Sequence, residues 1–244
     1  MKPKKEDKDP TTPASTFLQT ELYHTASQPG LRSLPPSPSR DFLTLTWGPI
    51  IYLTTYTPSS SHNLLSRFLQ SLNTEIHHAI RRVLPGNPSQ TRLLVSSYAA
   101  KVFSGEKLYG DKSVEEIRRV FHDWKRVDLA LPAVELPVRL RVCLVVDKGV
   151  LDRFGRLVDG DGDGDGDGDG RGGECCPVIM VEENFPDIRR RDSNPADEGF
   201  PGWTWVALRA VVEVFDGLRG AGGLRKYHRE GEVYLGDGRW GELG

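Results

Sequence analysis

Cysteine, methionine and long apolar runs are scarce in this chain. Its 244 residues include three Cys (Cys143, Cys175 and Cys176) and two Met. An odd cysteine count with one adjacent pair is not a disulfide framework, and no C-x-x-C spacing offers zinc or redox chemistry. Reduced thiols in an intracellular protein, cytoplasmic or nuclear, are the expectation. No stretch of about 18 apolar residues occurs, so no bilayer-spanning helix and no membrane partner are expected. Met1-Lys2-Pro3-Lys4-Lys5 runs into Glu6, Asp7 and Asp9 with no apolar stretch behind it, which does not read as a secretory leader. Charge of one sign is lacking too: 32 Lys and Arg stand against 34 Asp and Glu, a net charge of −2. That balance argues against a protein that coats nucleic acid by bulk charge, so no nucleic-acid partner is expected. A Walker loop is missing, as is a G-x-G-x-x-G after a strand, so no cofactor is expected.

Glycine and proline, by contrast, are plentiful, at 26 and 17. Residues 1–40 hold seven of those prolines and ten Ser or Thr, with dispersed charges and no helical or strand period. Such a stretch buries too little apolar surface to offset its ordering entropy, about 1–2 kcal/mol per residue, and reads as a disordered tail. Lys2, Lys4, Lys5 and Lys8 resemble a nuclear signal diluted by acids, and Ser37-Pro38 resembles a phosphorylation site. A single domain is expected over 41–244.

Within it, Phe42–Trp47 and Ile50–Thr57 are rich in β-branched and aromatic residues around Gly48-Pro49 and read as a kinked strand. Leu64, Leu65, Phe68, Leu69, Leu72, Ile76, Ala79, Ile80 and Val83 recur at steps of three and four, so a long helix is predicted up to Pro85-Gly86. Arg92–Phe103 reads as a strand. Ser113-Val-Glu-Glu116 is a capping box that opens a helix carrying Ile117, Val120, Phe121 and Trp124 on one face. Val142–Val146 and Pro177–Glu182 are apolar strands, Trp203–Leu218 reads as a third helix, and Glu232–Leu235 as a closing strand. The strands near 142 and 177 are expected to pair antiparallel, because the segment between them reads as a flexible insert rather than a crossover helix. The fold expected is α+β, with a mostly antiparallel sheet and helices on one face, in a ferredoxin-like (split βαβ) arrangement plus an edge strand.

The one string that looks like a site is the run of six Asp-Gly pairs over 159–170, inside a flexible insert at 155–174. Read from Asp163, it places Asp163, Asp165 and Asp167 at calcium-loop positions 1, 3 and 5, Gly168 at 6 and Glu174 at 12. A two-residue repeat matches half of that template by construction, however. Gly170 takes the place of the apolar residue such loops need, and Gly172 and Gly173 cannot begin an exit helix. A solvated linker is the reading adopted, with weak cation condensation and no metal ligand assigned.

Other chemistry-bearing residues are weighed in the same way. His77-His78 point about 100° apart on a helix and do not share a metal. His122-Asp123 has no accompanying nucleophile elbow and reads as an exposed polar face. Glu182-Glu183 with Asp147 could form an acid/base pair, but in an antiparallel hairpin Asp147 falls opposite residue 177, far from 182. Arg189-Arg190-Arg191 reads as a solvated basic turn, and Phe200, Pro201, Trp203 and Trp205 as an aromatic cap on the core.

From Phe42 to about residue 240 the sequence resembles a family of uncharacterised proteins from filamentous fungi. The likeness rests on Trp47-Gly-Pro-Ile-Ile-Tyr-Leu-Thr-Thr-Tyr56, Phe121-x-x-Trp124, Cys143-Leu-Val-Val-Asp147, Asn184-Phe-Pro-Asp187, Gly202-Trp203 and Tyr234. In that family an Arg often follows the Ile-Tyr; here Leu53 stands there, so an anion-binding role at that position is lost. The likeness implies no catalytic residue. The function expected is a non-enzymatic intracellular interaction module with a protein partner. The alternatives are an enzyme or small-ligand binder with a pocket near Tyr52, Tyr56, Asp147 and Trp203, and weak calcium binding by the Asp-Gly loop.

Overall fold

Val142–Val146 (β3) is an unbroken apolar run, and all five of its residues are buried. Such a strand needs cover on both faces and neighbours on both edges, and the computed structural model supplies them. It describes residues 11–23, 38–56, 60–128, 136–159, 176–183, 199–219 and 223–243. On one side β3 pairs in parallel with Ile50–Leu53 (β1), which pairs in parallel with Lys101–Phe103 (β2). On the other it pairs antiparallel with Pro177–Glu182 (β4), Val145 opposite Ile179, as expected. Trp203–Ala207 (β5) runs antiparallel to β4, Glu232–Gly236 (β6) parallel to β5, and Arg239–Glu242 (β7) antiparallel to β6.

The protein is therefore α+β around a seven-stranded sheet of order β2-β1-β3-β4-β5-β6-β7. Parallel and antiparallel pairings are equal in number, which corrects the expectation of a mostly antiparallel sheet. β1 and β3 lie side by side, without the intervening strand that a split βαβ unit would place there.

Helices cover both faces, not one. Register places Tyr52, Val145, Ile179 and Trp205 on the same face, and Phe121 of the capped helix Val114–Asp123 lies 6.2 Å from the Tyr52 ring there. The capping box is formed as expected, with Ser113 and Glu116 bonding each other's backbone N–H groups. The other face carries Ile51, Leu144, Met180 and Tyr234, and Tyr234 donates its hydroxyl proton to Glu213 on the helix Val211–Leu218. Against that helix packs the long helix Ser60–Val83, whose apolar face reads as the sequence predicted.

In chain order the helices are Pro13–Leu18 (α1), Pro38–Leu45 (α2), Ser60–Val83 (α3), Pro88–Ser97 (α4), Glu106–Tyr109 (α5), Val114–Asp123 (α6), Lys148–Asp159 (α7) and Val211–Leu218 (α8).

Five local expectations are corrected. Residues 12–23, assigned to a disordered tail, form α1 and a following π-helical turn. Thr12 caps α1, and Ala14, Phe17, Leu18 and Leu22 are buried against Trp47 and its surroundings, which offsets the ordering entropy. Phe42–Leu45 belongs to α2, begun at Pro38, where a missing N–H costs nothing. The fully buried Arg139 donates to the Phe42, Leu43 and Thr46 carbonyls at its end. The first half of the strand expected over 92–103 belongs to α4, opened by an Asn87/Gln90 capping box with Pro88 at its first position, and the strand itself is confined to Lys101–Phe103. Residues 203–207 are a strand, and the helix starts at Val211. Residues 155–159, assigned to the insert, are the last turns of α7. The Asp-Gly residues beyond 159, Cys175, Arg189–Arg191 and the Asn184–Asp187 turn lie outside the described residues.

Candidate functional site

The four residues proposed to line a pocket each have separate surroundings. Tyr52 is buried among the rings of Phe103, Tyr109 and Phe121. Tyr56 donates to the Leu53 carbonyl and accepts from the Gly105 N–H, which turns it toward the β2 side of β1, and burial raises its phenol. Asp147 leaves the end of β3 on the opposite side of β1 and accepts the Val150 N–H at 2.8 Å, capping α7. Trp203 begins β5, edge-on to Trp205 at 6.3 Å. The row from Tyr52 to Trp205 crosses three inter-strand gaps, about 14 Å.

The acidic pair at the end of β4 splits across the sheet. Glu182 accepts the Leu224 N–H at 2.9 Å on one face. Glu183 turns to the other and is almost fully buried beneath the end of α6, with Lys125 on one carboxylate oxygen and His122 Nδ1 2.7 Å from the other. His122 thus partners Glu183 and not its neighbour Asp123, a contact the sequence reading missed because the two residues lie 61 positions apart. Burial pulls the Lys125 ammonium below its ordinary value, and the Glu183 carboxylate pushes back. Cys143 lies on the same face, its thiol raised far out of the reactive range by burial. This cluster clamps α6 to β4. His77 and His78 are both exposed, and His77 rests edge-on against Tyr98. Phe200 is buried against His228, and the Pro201 carbonyl accepts from Arg118, so that aromatic segment is cap and core as expected.

Sheet topology marks a different place. The connection from β1 to β2 carries α3 and α4, on the face where α3 packs with α8. The connection from β2 to β3 carries α6 on the other face. Winding therefore reverses between β1 and β3, two parallel neighbours whose carboxyl ends open a crevice in folds of this kind. Thr54 and Thr55, nearly buried, and Asp147 stand at those ends, Thr54 N–H bonding the Val146 carbonyl at 3.1 Å.

α7 leaves the end of β3 just after Asp147, and a groove of about 530 Å³ lies between this helix and the first turns of α3. Gly149, Asp152, Arg153 and Arg156 line it from α7, at the three- and four-residue spacing of one helix face, and Leu64 lines it from α3. At Gly149 a Cβ would sit 3.3 Å from both Asp147 Oδ1 and an Arg153 guanidinium nitrogen, a tight approach that the glycine avoids. Arg153 is held over the Trp205 ring at 5.2 Å, and Arg156 is exposed with no carboxylate partner among the described residues. Lys148 and Asp152 pair with each other. Two arginines, an acid paired with Lys148, and Leu64 thus line an open groove on the helix that follows the switch point. Among the described residues no cluster of three His, Cys, Asp or Glu could hold a metal ion. No described helix is long and apolar enough to cross a membrane. Compared with known protein families, curated proteins and solved structures, the chain matches none.

Proposed function

We propose that the chain is a non-enzymatic intracellular binding module, related to the uncharacterised fungal proteins it resembles, that holds a small anionic ligand at the switch point between β1 and β3. The observation that carries this reading is the groove along α7, lined by Arg153 and Arg156 on the helix that leaves the carboxyl end of β3, beside the reversal of winding. A guanidinium is a fixed fork of donors suited to carboxylate or phosphate oxygens. The polar groups that could have acted as acid and base are spent elsewhere: Asp147 caps α7, Glu182 holds the turn at Leu224, and Glu183 neutralises Lys125. The Leu64 wall gives the apolar part of a ligand somewhere to rest.

The test is calorimetric titration of the full chain with inorganic phosphate, a nucleoside monophosphate and the unphosphorylated nucleoside. Binding of a phosphate-bearing ligand that weakens about tenfold in Arg156→Glu supports the reading, since one charge-assisted contact is worth about that factor. Equal heats from the neutral nucleoside, or binding indifferent to Arg156→Glu, overturn it.

A further inference from the structure

A second basic surface lies away from that groove, between the end of α3 and the start of α4. The segment 60–97 carries four arginines and a single carboxylate, Glu75, in a chain whose net charge is −2. Two of the four guanidiniums are engaged: Arg67 pairs with Asp159 at 2.9 Å, and Arg82 donates to the Arg209 carbonyl at 3.1 Å. Arg81 and Arg92 are exposed and pair with no carboxylate among the described residues. Both border one open groove of about 530 Å³, with Val95 and Pro88 as apolar floor and the Thr91 and Ser96 hydroxyls at its margin. Gly86 closes one end, where the N-terminal arm is docked, Ala14 N–H bonding the Pro85 carbonyl.

From this arrangement we infer that the α3–α4 groove is a docking surface for an acidic segment of a partner protein. Charge complementarity selects that occupant. Two exposed guanidiniums at the rim, with no buried cation between them, leave a lone inorganic anion hydrated and weakly held. A peptide can set carboxylates against both arginines at once and lay apolar side chains on Val95 and Pro88. Nucleic acid fits poorly, because affinity for a phosphate backbone grows with the number of neutralised phosphates and this groove offers two cations. Such a surface steers encounter more than it locks the complex, so binding is fast and salt-dependent. The inference is independent of the anion groove along α7.

The experiment is fluorescence anisotropy of the full chain with three short labelled peptides, in which Val alternates with Glu, Gln or Lys, and with a single-stranded RNA. The expected result is that the Glu peptide binds at least about tenfold tighter than the Gln peptide at low salt, and that this margin collapses near 0.5 M salt. The double variant Arg81→Glu/Arg92→Glu should lose the preference, while Arg156→Glu on α7 keeps it and an unchanged melting temperature shows that the variants fold. Equal binding of the Glu and Gln peptides, tighter binding of RNA, or a Glu preference that survives the double variant each overturns the inference. The calorimetric result with Arg156→Glu stands or falls separately from all of these.

Discussion

Replacing Phe17 by Ala tests whether the N-terminal arm belongs to the core. The ring is fully buried, meets Trp47 edge-on at 5.0 Å, and lies beneath the Arg219 guanidinium at 5.6 Å. Removing a buried phenyl ring costs about 3–5 kcal/mol when the site cannot collapse. Collapse is hindered here, because Trp47 is itself pinned by its indole N–H to the Leu94 carbonyl at 2.7 Å and by pairing with Ser97 and Ala99. The upper half of that range is therefore expected, a large part of the roughly 5–15 kcal/mol that stabilises a domain. In a domain of this length it lowers the melting temperature by about 8–20 °C. Urea unfolding of the full chain, followed by circular dichroism, measures it: the midpoint falls while the slope stays unchanged. Tyr23→Ala is the control, since Tyr23 is 51% exposed and its loss should stay within about 0.5 kcal/mol. A Phe17→Ala loss below about 1 kcal/mol refutes the reasoning, because the arm would then leave the sheet before the sheet itself unfolds.

Glu183→Ala leaves the Lys125 ammonium buried without its carboxylate, and a loss of about 3–5 kcal/mol in urea unfolding is expected. Gly86→Ala places a Cβ 2.5 Å from that of Ala14 and 2.6 Å from Gln90 Oε1, so overpacking of about 1–3 kcal/mol should appear in the thermal midpoint. Burial holds the Glu21 carboxyl above its ordinary 4.5, outweighing the Val138 N–H and Arg139, which pull it down. A folded value above the unfolded one gives stability that is present in acid and lost as pH rises through the folded value. Paired unfolding curves of the wild type and Glu21→Gln from pH 4.5 toward neutrality should therefore show the wild type losing ground as pH rises, and a gain with pH contradicts the assignment.

Legibility in the sequence followed how local the cause was. The Ser113/Glu116 box, the three-and-four spacing from Leu64 to Val83 and the apolar run at β3 each depend on neighbours within a few residues, and each appears where expected. At 92–103, apolar density reads as a strand. Burial instead recurs three residues apart, at Leu94 and Ser97, and the Asn87-Pro88-Ser89-Gln90 start is a helix signal. At 203–207 the error ran in the opposite direction: Trp-Thr-Trp-Val buries every second residue, the period of a strand. The arm at 12–23 was hidden for a different reason. Its four apolar contributors are too few to suggest a core of their own, and become one only against Trp47 and Arg219, far along the chain.

These local errors decided the functional reading. The sequence reading puts every helix on one face, and with the connections before and after 92–103 on the same face no reversal of winding appears between β1 and β3. Once α4 joins α3 as a connection on one face and α6 forms the next connection on the other, β1 and β3 become parallel partners with a switch between them. Asp147 was rightly singled out as the residue at a strand end, but grouped with the wrong partners. Its partner is the Val150 N–H, in the first turn of a helix that runs on into residues 155–159 of the expected insert. The cationic groove follows from that helix, because only helical spacing sets Gly149, Asp152, Arg153 and Arg156 along one line.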